Sequence, residues 1–223
     1  MSEYLYMVDY PRKSAFAESA LIDVRYDYDR FTACPECGRQ GSGAHWMQPR
    51  EVVLTSRKIP DFLYTYNDNA PFLLSRKALE TIRAAGLTGI RCAEEIEHIR
   101  FQRRSKTETP IPTYYHIELE RSRITLDHEN SVIQYGTRRD RNTCPHCRQV
   151  PATYDFTRKL AFHMEAYEGY DIFQIYELGD QVFLSRRFVE LCEEKGLTNL
   201  HCTVASRHGR WAAEYFLDGN EDA

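Results

Sequence analysis

The chain repeats itself. A shift of 110 residues carries Cys34 onto Cys144, Pro35 onto Pro145 and Cys37 onto Cys147. The same shift carries Asp61 onto Asp171 and Tyr66 onto Tyr176. It also lays LLSRKALETIRAAGLTGIRC (73–92) over FLSRRFVELCEEKGLTNLHC (183–202) without a gap. Within that segment Leu74/Leu184, Ser75/Ser185, Arg76/Arg186, Glu80/Glu190, Gly86/Gly196, Leu87/Leu197, Thr88/Thr198 and Cys92/Cys202 are identical. One offset shared by cysteine motifs and a helical signature identifies a tandem duplication. The 223 residues are enough for one large domain or two small ones.

The unit reads as β-α-β. DFLYTY (61–66) and DIFQIYE (171–177), rich in aromatic and β-branched residues, predict a strand followed by a short turn. Ser75 and Ser185 stand where a hydroxyl would accept an early helical N–H. Leu74, Ala78, Leu79 and Ile82, then Leu184, Phe188, Val189 and Cys192, mark an apolar stripe at helical spacing. Gly86 and Gly196 follow the last turn, where a left-handed residue is wanted, and TGIRC and TNLHCTV close each unit with a strand. The expectation is an α+β fold. Two pseudo-symmetric β-α-β repeats, about 30–101 and about 140–211, pack into a single domain with an N-terminal extension and a central β-hairpin.

Between the copies, QRRSKTETPIPT (102–113) reads as a polar loop. YYHIELE (114–120) alternates, with Tyr115, Ile117 and Leu119 on one face and His116, Glu118 and Glu120 on the other. That pattern predicts a half-exposed antiparallel strand. RITLDHENSVIQY (123–135) predicts a hairpin around Asp127–Asn130, and the tail GNEDA reads as frayed.

The N-terminal MSEYLYMVDYPRK lacks the apolar core of a signal peptide, and no run approaches the length of a membrane span. Both point to the reducing cytoplasm, where seven cysteines read as metal ligands or redox centres rather than disulfides. Two CPxC turns make four thiolates, and the duplication gives a reason for them to meet. Cys34, Cys37, Cys144 and Cys147 are therefore the candidate ligands of one Zn²⁺ joining the two repeats. An iron–sulfur cluster, redox dithiols and relict cysteines are the alternatives. Four cysteines leave zinc no open position, so such a site is structural, with about 10 kcal/mol of binding linked to folding. Cys92, Cys192 and Cys202 read as core residues.

The chain has no GxSxG elbow, phosphate loop, HExxH helix or GxGxxG turn. His163–Glu165, His201–Cys202 and His128 lack the third orienting group that catalysis needs, so the expectation is a protein that is not an enzyme. Arg103, Arg104 and Lys106, and Arg138, Arg139, Arg141 and Arg148 around the second CPxC, raise a zinc-knuckle nucleic-acid reading. A net charge of −4, with Glu36 and Asp140 inside those stretches, argues for solvated loop charge instead.

CPECG near the N-terminus, a second CPxC and a Phe-Leu-Ser-Arg…Gly-Leu-Thr signature resemble the double-CXXCG motif family described from myxobacteria. Some members of that family are immunity proteins of polymorphic toxins. Arg148 stands where the family's name has glycine; the four sulfurs are untouched. The resemblance implies metal binding and neutralisation of a cognate toxin by direct contact, in a 1:1 complex. Tyr64, Tyr66, Tyr114 and Tyr115, with Glu118 and Glu120, are the candidate contact residues.

Overall fold

The computed structural model describes residues 5–9, 16, 19–22, 26–27, 45–66, 72–102, 110–135, 154–178, 181–205 and 215–216. The architecture is α+β, with strands throughout and two helices among the described residues. Helix α1 (Arg76–Ala84) and helix α2 (Arg186–Glu194) begin as the sequence predicts. Ser75 Oγ accepts the Ala78 N–H and Ser185 Oγ accepts the Phe188 N–H, each at 3.1 Å. Both end on a glycine in the left-handed region, Gly86 at φ 64° and Gly196 at φ 57°. The Leu87 and Leu197 N–H groups then reach back to Ile82 and Cys192, completing the same C-terminal cap twice.

Two expectations need correction, one within the unit and one between the copies. Leu74 and Leu184 are not on the helices. They lie on extra strands, Phe72–Ser75 and Val182–Leu184, which pair antiparallel with Phe62–Tyr66 and Ile172–Ile175. A short apolar run buried on both faces carries no periodicity to separate strand from helix lead-in. Each unit is therefore strand, strand, helix, strand. The Asp127 turn stands where predicted, its carboxylate accepting the Glu129 and Asn130 N–H groups at 3.1 and 3.0 Å. Its arms do not pair with each other. Thr125–Leu126 pairs with Phe162–His163, and Val132–Tyr135 with Tyr154–Lys159.

The strands assemble into two main sheets. The first runs Ile90–Glu95, Tyr114–Leu119, Phe72–Ser75, Phe62–Tyr66, Ser19–Ile22, Glu51–Leu54, His98–Phe101. Its first and last strands are separated in sequence by Ile96 and Glu97 alone, a distance that two residues can span only if the sheet edges meet. Ile96 N–H donates to Tyr114 O, and His98 N–H donates to Arg50 O. The sheet thus curls into a barrel around Trp46, Val52, Leu54, Leu63, Leu73, Ile96 and Tyr114. The second sheet runs Arg121–Ser122, Ile172–Ile175, Val182–Leu184, Tyr6–Val8, His201–Val204, Tyr215–Phe216.

The strands from the chain start and the chain middle are exchanged. Tyr6–Val8 lies between two strands of the second copy, and Tyr114–Leu119 lies between two strands of the first. Met7 faces Thr203 and Val8 faces Cys202; 110 residues on, Ile117 faces Ala93 and Glu118 faces Cys92. The N-terminal strand Tyr6–Val8 is therefore an interior strand of the second sheet, paired on both sides. Between the sheets lies the largest apolar cluster, drawing Phe62, Phe72, Leu79 and Ile82 from the first copy and Ile172, Phe188, Val189 and Cys192 from the second. Truncating Phe188 at its centre would cost about 3–5 kcal/mol. The two copies share one core.

Candidate functional site

Cys34, Cys37, Cys144 and Cys147 all lie outside the described residues, as do Arg138, Arg139, Arg141 and Arg148. What the structure describes is how each cysteine segment is framed. Residues 28–44, which hold the first CPxC, connect Tyr26–Asp27 to the antiparallel strand His45–Trp46. Residues 136–153, which hold the second, connect Val132–Tyr135 to the antiparallel strand Tyr154–Lys159. Each pair is thus carried between the arms of a two-stranded ribbon. Among the described residues, no group of three His, Cys, Asp or Glu is placed to hold a metal ion.

The other three thiols are free and have no disulfide partner. Cys192 and Cys202 belong to the shared core. Burial pushes the Cys202 thiol up to about 12 and raises Cys192 as well. Cys92 is half-buried, and its thiol is also raised, first by desolvation and then by the Glu94 carboxylate. None is a thiolate at neutral pH, which removes the ionised form that redox and nucleophilic chemistry require.

The proposed contact tyrosines divide. Tyr64 is buried in the shared core; its hydroxyl accepts the His201 N–H at 3.0 Å. Tyr114 is fully buried in the barrel and donates to Pro60 O, and burial raises its phenol far above the ordinary value. Both are interior residues, a correction to their reading as surface contacts. For Tyr114 the cause is the placement of Tyr114–Leu119 between Phe72–Ser75 and Ile90–Glu95. Both faces of that strand are covered, including the His116 side, which the alternation assigned to solvent.

Tyr115 is half-buried against the core, and Tyr66 ends its strand. Glu118 is partly exposed and holds Arg91 at 2.8 Å. Glu120 is half-buried, and its backbone bridges the sheets, donating to Gly89 O and accepting from Gln174 N–H. Of the six, only Tyr115, Glu118 and Glu120 have described side chains that reach the surface.

Sequence reasoning missed a charged cluster at the barrel seam. Arg50 is fully buried, stacks 5.9 Å from the Trp46 ring and donates Nε–H to Trp46 O at 3.0 Å. Its guanidinium meets the Glu94 and Glu97 carboxylates, and Glu97 also accepts the Arg50 N–H at 2.8 Å. One buried cation held by two carboxylates ties the Ile96–Glu97 link to the start of Glu51–Leu54. It also leaves the Glu94–Glu97 rim net negative. A lone arginine in HWMQPREVV gives no sequence signal for this role. His201 is buried with Nε2 at 3.0 Å from Asn199 Oδ1, and His128 lies 3.8 Å from Glu177.

No helix among the described residues is long and apolar enough to cross a membrane. The profile of the immunity protein family (Imm11) matches residues 72–207. The matched span runs from the strand before α1 through the exchanged strand Tyr114–Leu119 and α2 to the end of His201–Val204. It includes the second CPxC and leaves the first outside. A search of curated proteins finds no match.

Proposed function

The chain belongs to the immunity protein family Imm11, and on that premise we propose that it neutralises a cognate bacterial toxin by direct binding. One toxin domain is held per chain, in the cytoplasm, by stoichiometric contact rather than chemistry. The observation that carries this reading is the family match across residues 72–207. An inhibitor of this kind needs a rigid body and a complementary surface. The shared core supplies the rigidity. The net charge of −4 suits a basic toxin, because opposite fields speed encounter.

The proposal includes a structural zinc on Cys34, Cys37, Cys144 and Cys147, with the two copies related by a pseudo-two-fold. Its support is that contact after contact recurs 110 residues on, and that each CPxC sits in the connection of an antiparallel ribbon. Four thiolates fit zinc and leave it no open position for catalysis.

The test is co-expression with the toxin encoded by the neighbouring gene. Growth should be rescued, and a 1:1 complex should elute as one species on gel filtration. Failure of both with a folded, soluble chain removes the toxin reading.

A further inference from the structure

Strands pass between the two halves of the chain in both directions. The first half, up to Gln102, sends Tyr6–Val8 into the second sheet, where it pairs on both sides. The second half, from Pro110 onward, sends Tyr114–Leu119 into the first sheet, between Phe72–Ser75 and Ile90–Glu95. Each half completes a sheet that the other half carries.

The polar contacts across the boundary are reciprocal as well. Phe62 N–H donates to Thr198 O, and Ile172 N–H donates to Thr88 O, each at 3.1 Å. Lys77 Nζ of the first half donates to Gly196 O, just past the end of α2, at 3.4 Å. Arg187 Nη2 of the second half donates to Ala85 O, at the end of α1, at 2.8 Å. Each helix thus receives at its negative end a cation from the other half. The apolar cluster below them, with Phe62 and Phe72 from one half and Phe188 and Val189 from the other, belongs to neither alone.

We propose that the halves 1–102 and 110–223 are each other's binding partners, and that they assemble and stay assembled without the covalent link between them. The contacts identify the partner. A first half by itself would open the gap between Phe72–Ser75 and Ile90–Glu95 that Tyr114–Leu119 fills. A second half by itself would open the gap between Val182–Leu184 and His201–Val204 that Tyr6–Val8 fills. Either half alone bares strand edges and one side of the apolar cluster, so folding and association are one event. A covalent link adds an effective concentration of about a millimolar for short linkers. Interleaved strands around a common core make the kind of obligate interface that persists far below that concentration.

The test inserts a specific protease site between Glu108 and Thr109 of the full chain and cuts it after folding. The uncut variant should match the wild type in circular dichroism and melting temperature. After cutting, both fragments should elute from gel filtration together, as one species the size of the uncut chain, with unchanged circular dichroism. The melting temperature of the cut molecule should rise with its concentration, because unfolding now also separates two molecules; that of the uncut chain should not. Chelator should leave the fragments together, since none of the contacts named above uses a metal. Should the insertion itself disturb the fold, co-expression of 1–108 and 109–223 as separate polypeptides gives the same readouts.

Fragments that separate or precipitate in both formats overturn the proposal. So does separation on adding chelator, which would assign the cohesion to a metal instead. A cut molecule whose melting temperature ignores concentration overturns it too. The association of the halves does not rest on toxin binding, so the two proposals fail separately.

Discussion

Asp61 and Thr198 lie 137 residues apart in the chain and close against each other. The Asp61 carboxylate accepts the Thr198 backbone N–H at 3.0 Å and its hydroxyl at 3.1 Å. Asp171 does the same for Thr88, at 2.9 and 3.3 Å. Each carboxylate also accepts, at 2.8 Å, the hydroxyl of the serine that caps its own copy's helix. A cation completes each group, Lys77 at 3.3 Å from Asp61 and Arg187 at 3.6 Å from Asp171. Each copy's aspartate thus joins its own helix cap to the other copy's Gly-Leu-Thr turn.

Removing either carboxylate strands partly buried donors, which costs more than the bonds contribute net. Asp61→Ala and Asp171→Ala should each lose about 2–4 kcal/mol in urea unfolding. Asp61→Asn should lose less, because one oxygen remains to accept. Equal unfolding midpoints for wild type and Asp61→Ala would refute the clasp as a stabilising element.

Gly89 sits directly against the backbone of Ile172 in the other copy. Its φ is +110°, a region side chains rarely enter, and a Cβ there would overlap the Ile172 carbonyl oxygen. The equivalent residue, Asn199, also has positive φ, at 66°, and its side chain donates to Phe62 O at 2.8 Å. Gly196 has ordinary left-handed geometry with open space around its Cβ position. Gly196→Ala should therefore cost about 1 kcal/mol. Gly89→Ala should prevent folding or leave an insoluble chain. Two variants with equal melting temperatures would contradict this ranking.

The helices were legible because their caps are chemical signals: Ser75 and Gly86, Ser185 and Gly196 are residues few other positions demand. The closing strands followed from the same register. The exchange of Tyr6–Val8 and Tyr114–Leu119 was not legible. Pairing across copies leaves no periodic trace, and Tyr4 and Tyr114 are the only identity between the segments 4–10 and 114–120. Alternation in YYHIELE predicted one buried face, but a strand enclosed in a curled sheet buries both, and Tyr114 and His116 went inside. The contact residues failed for the same reason: an aromatic-rich strand looks alike whether it faces a partner or a core.

The exchanged N-terminal strand makes a prediction of its own. Tyr6–Val8 is hydrogen-bonded on both sides, and Leu5, Met7 and Val8 are buried. Deleting residues 1–9 would split the second sheet between Val182–Leu184 and His201–Val204 and expose two strand edges. The truncated chain should aggregate or fail to melt cooperatively, whereas a true appendage would be dispensable. Adding the missing segment as a separate peptide should restore part of the melting temperature.

Burial of the core thiols has a pH signature. The Cys202 thiol ionises near 9 when unfolded and is pushed up to about 12 in the folded chain. Its folded value is raised, so its contribution is fully present below the unfolded value and is lost as pH rises toward the folded one. Stability should therefore fall from about pH 9 upward, and the fall should be shallower in Cys202→Ala. Thiol reagents at neutral pH should modify Cys92 well before Cys192 or Cys202, since only Cys92 is partly exposed. Rapid labelling of Cys202 in the native state would contradict its place in the shared core.

The proposed zinc can be tested without the toxin. A closed four-thiolate site should carry about one zinc ion per chain and release it to chelator only as the fold loosens, since binding and folding are linked. Changing Cys34, Cys37, Cys144 or Cys147 singly to serine should each lower the bound zinc and the melting temperature, because all four serve one ion. Cys92→Ser and Cys192→Ser should leave the metal content unchanged. Cobalt substitution gives an independent readout: four thiolates in tetrahedral geometry produce intense sulfur-to-metal charge-transfer bands, which three would weaken. A folded wild-type chain that contains no metal and melts identically with and without chelator would eliminate the site, while the aspartate clasps and the exchanged strands would still hold the two copies together.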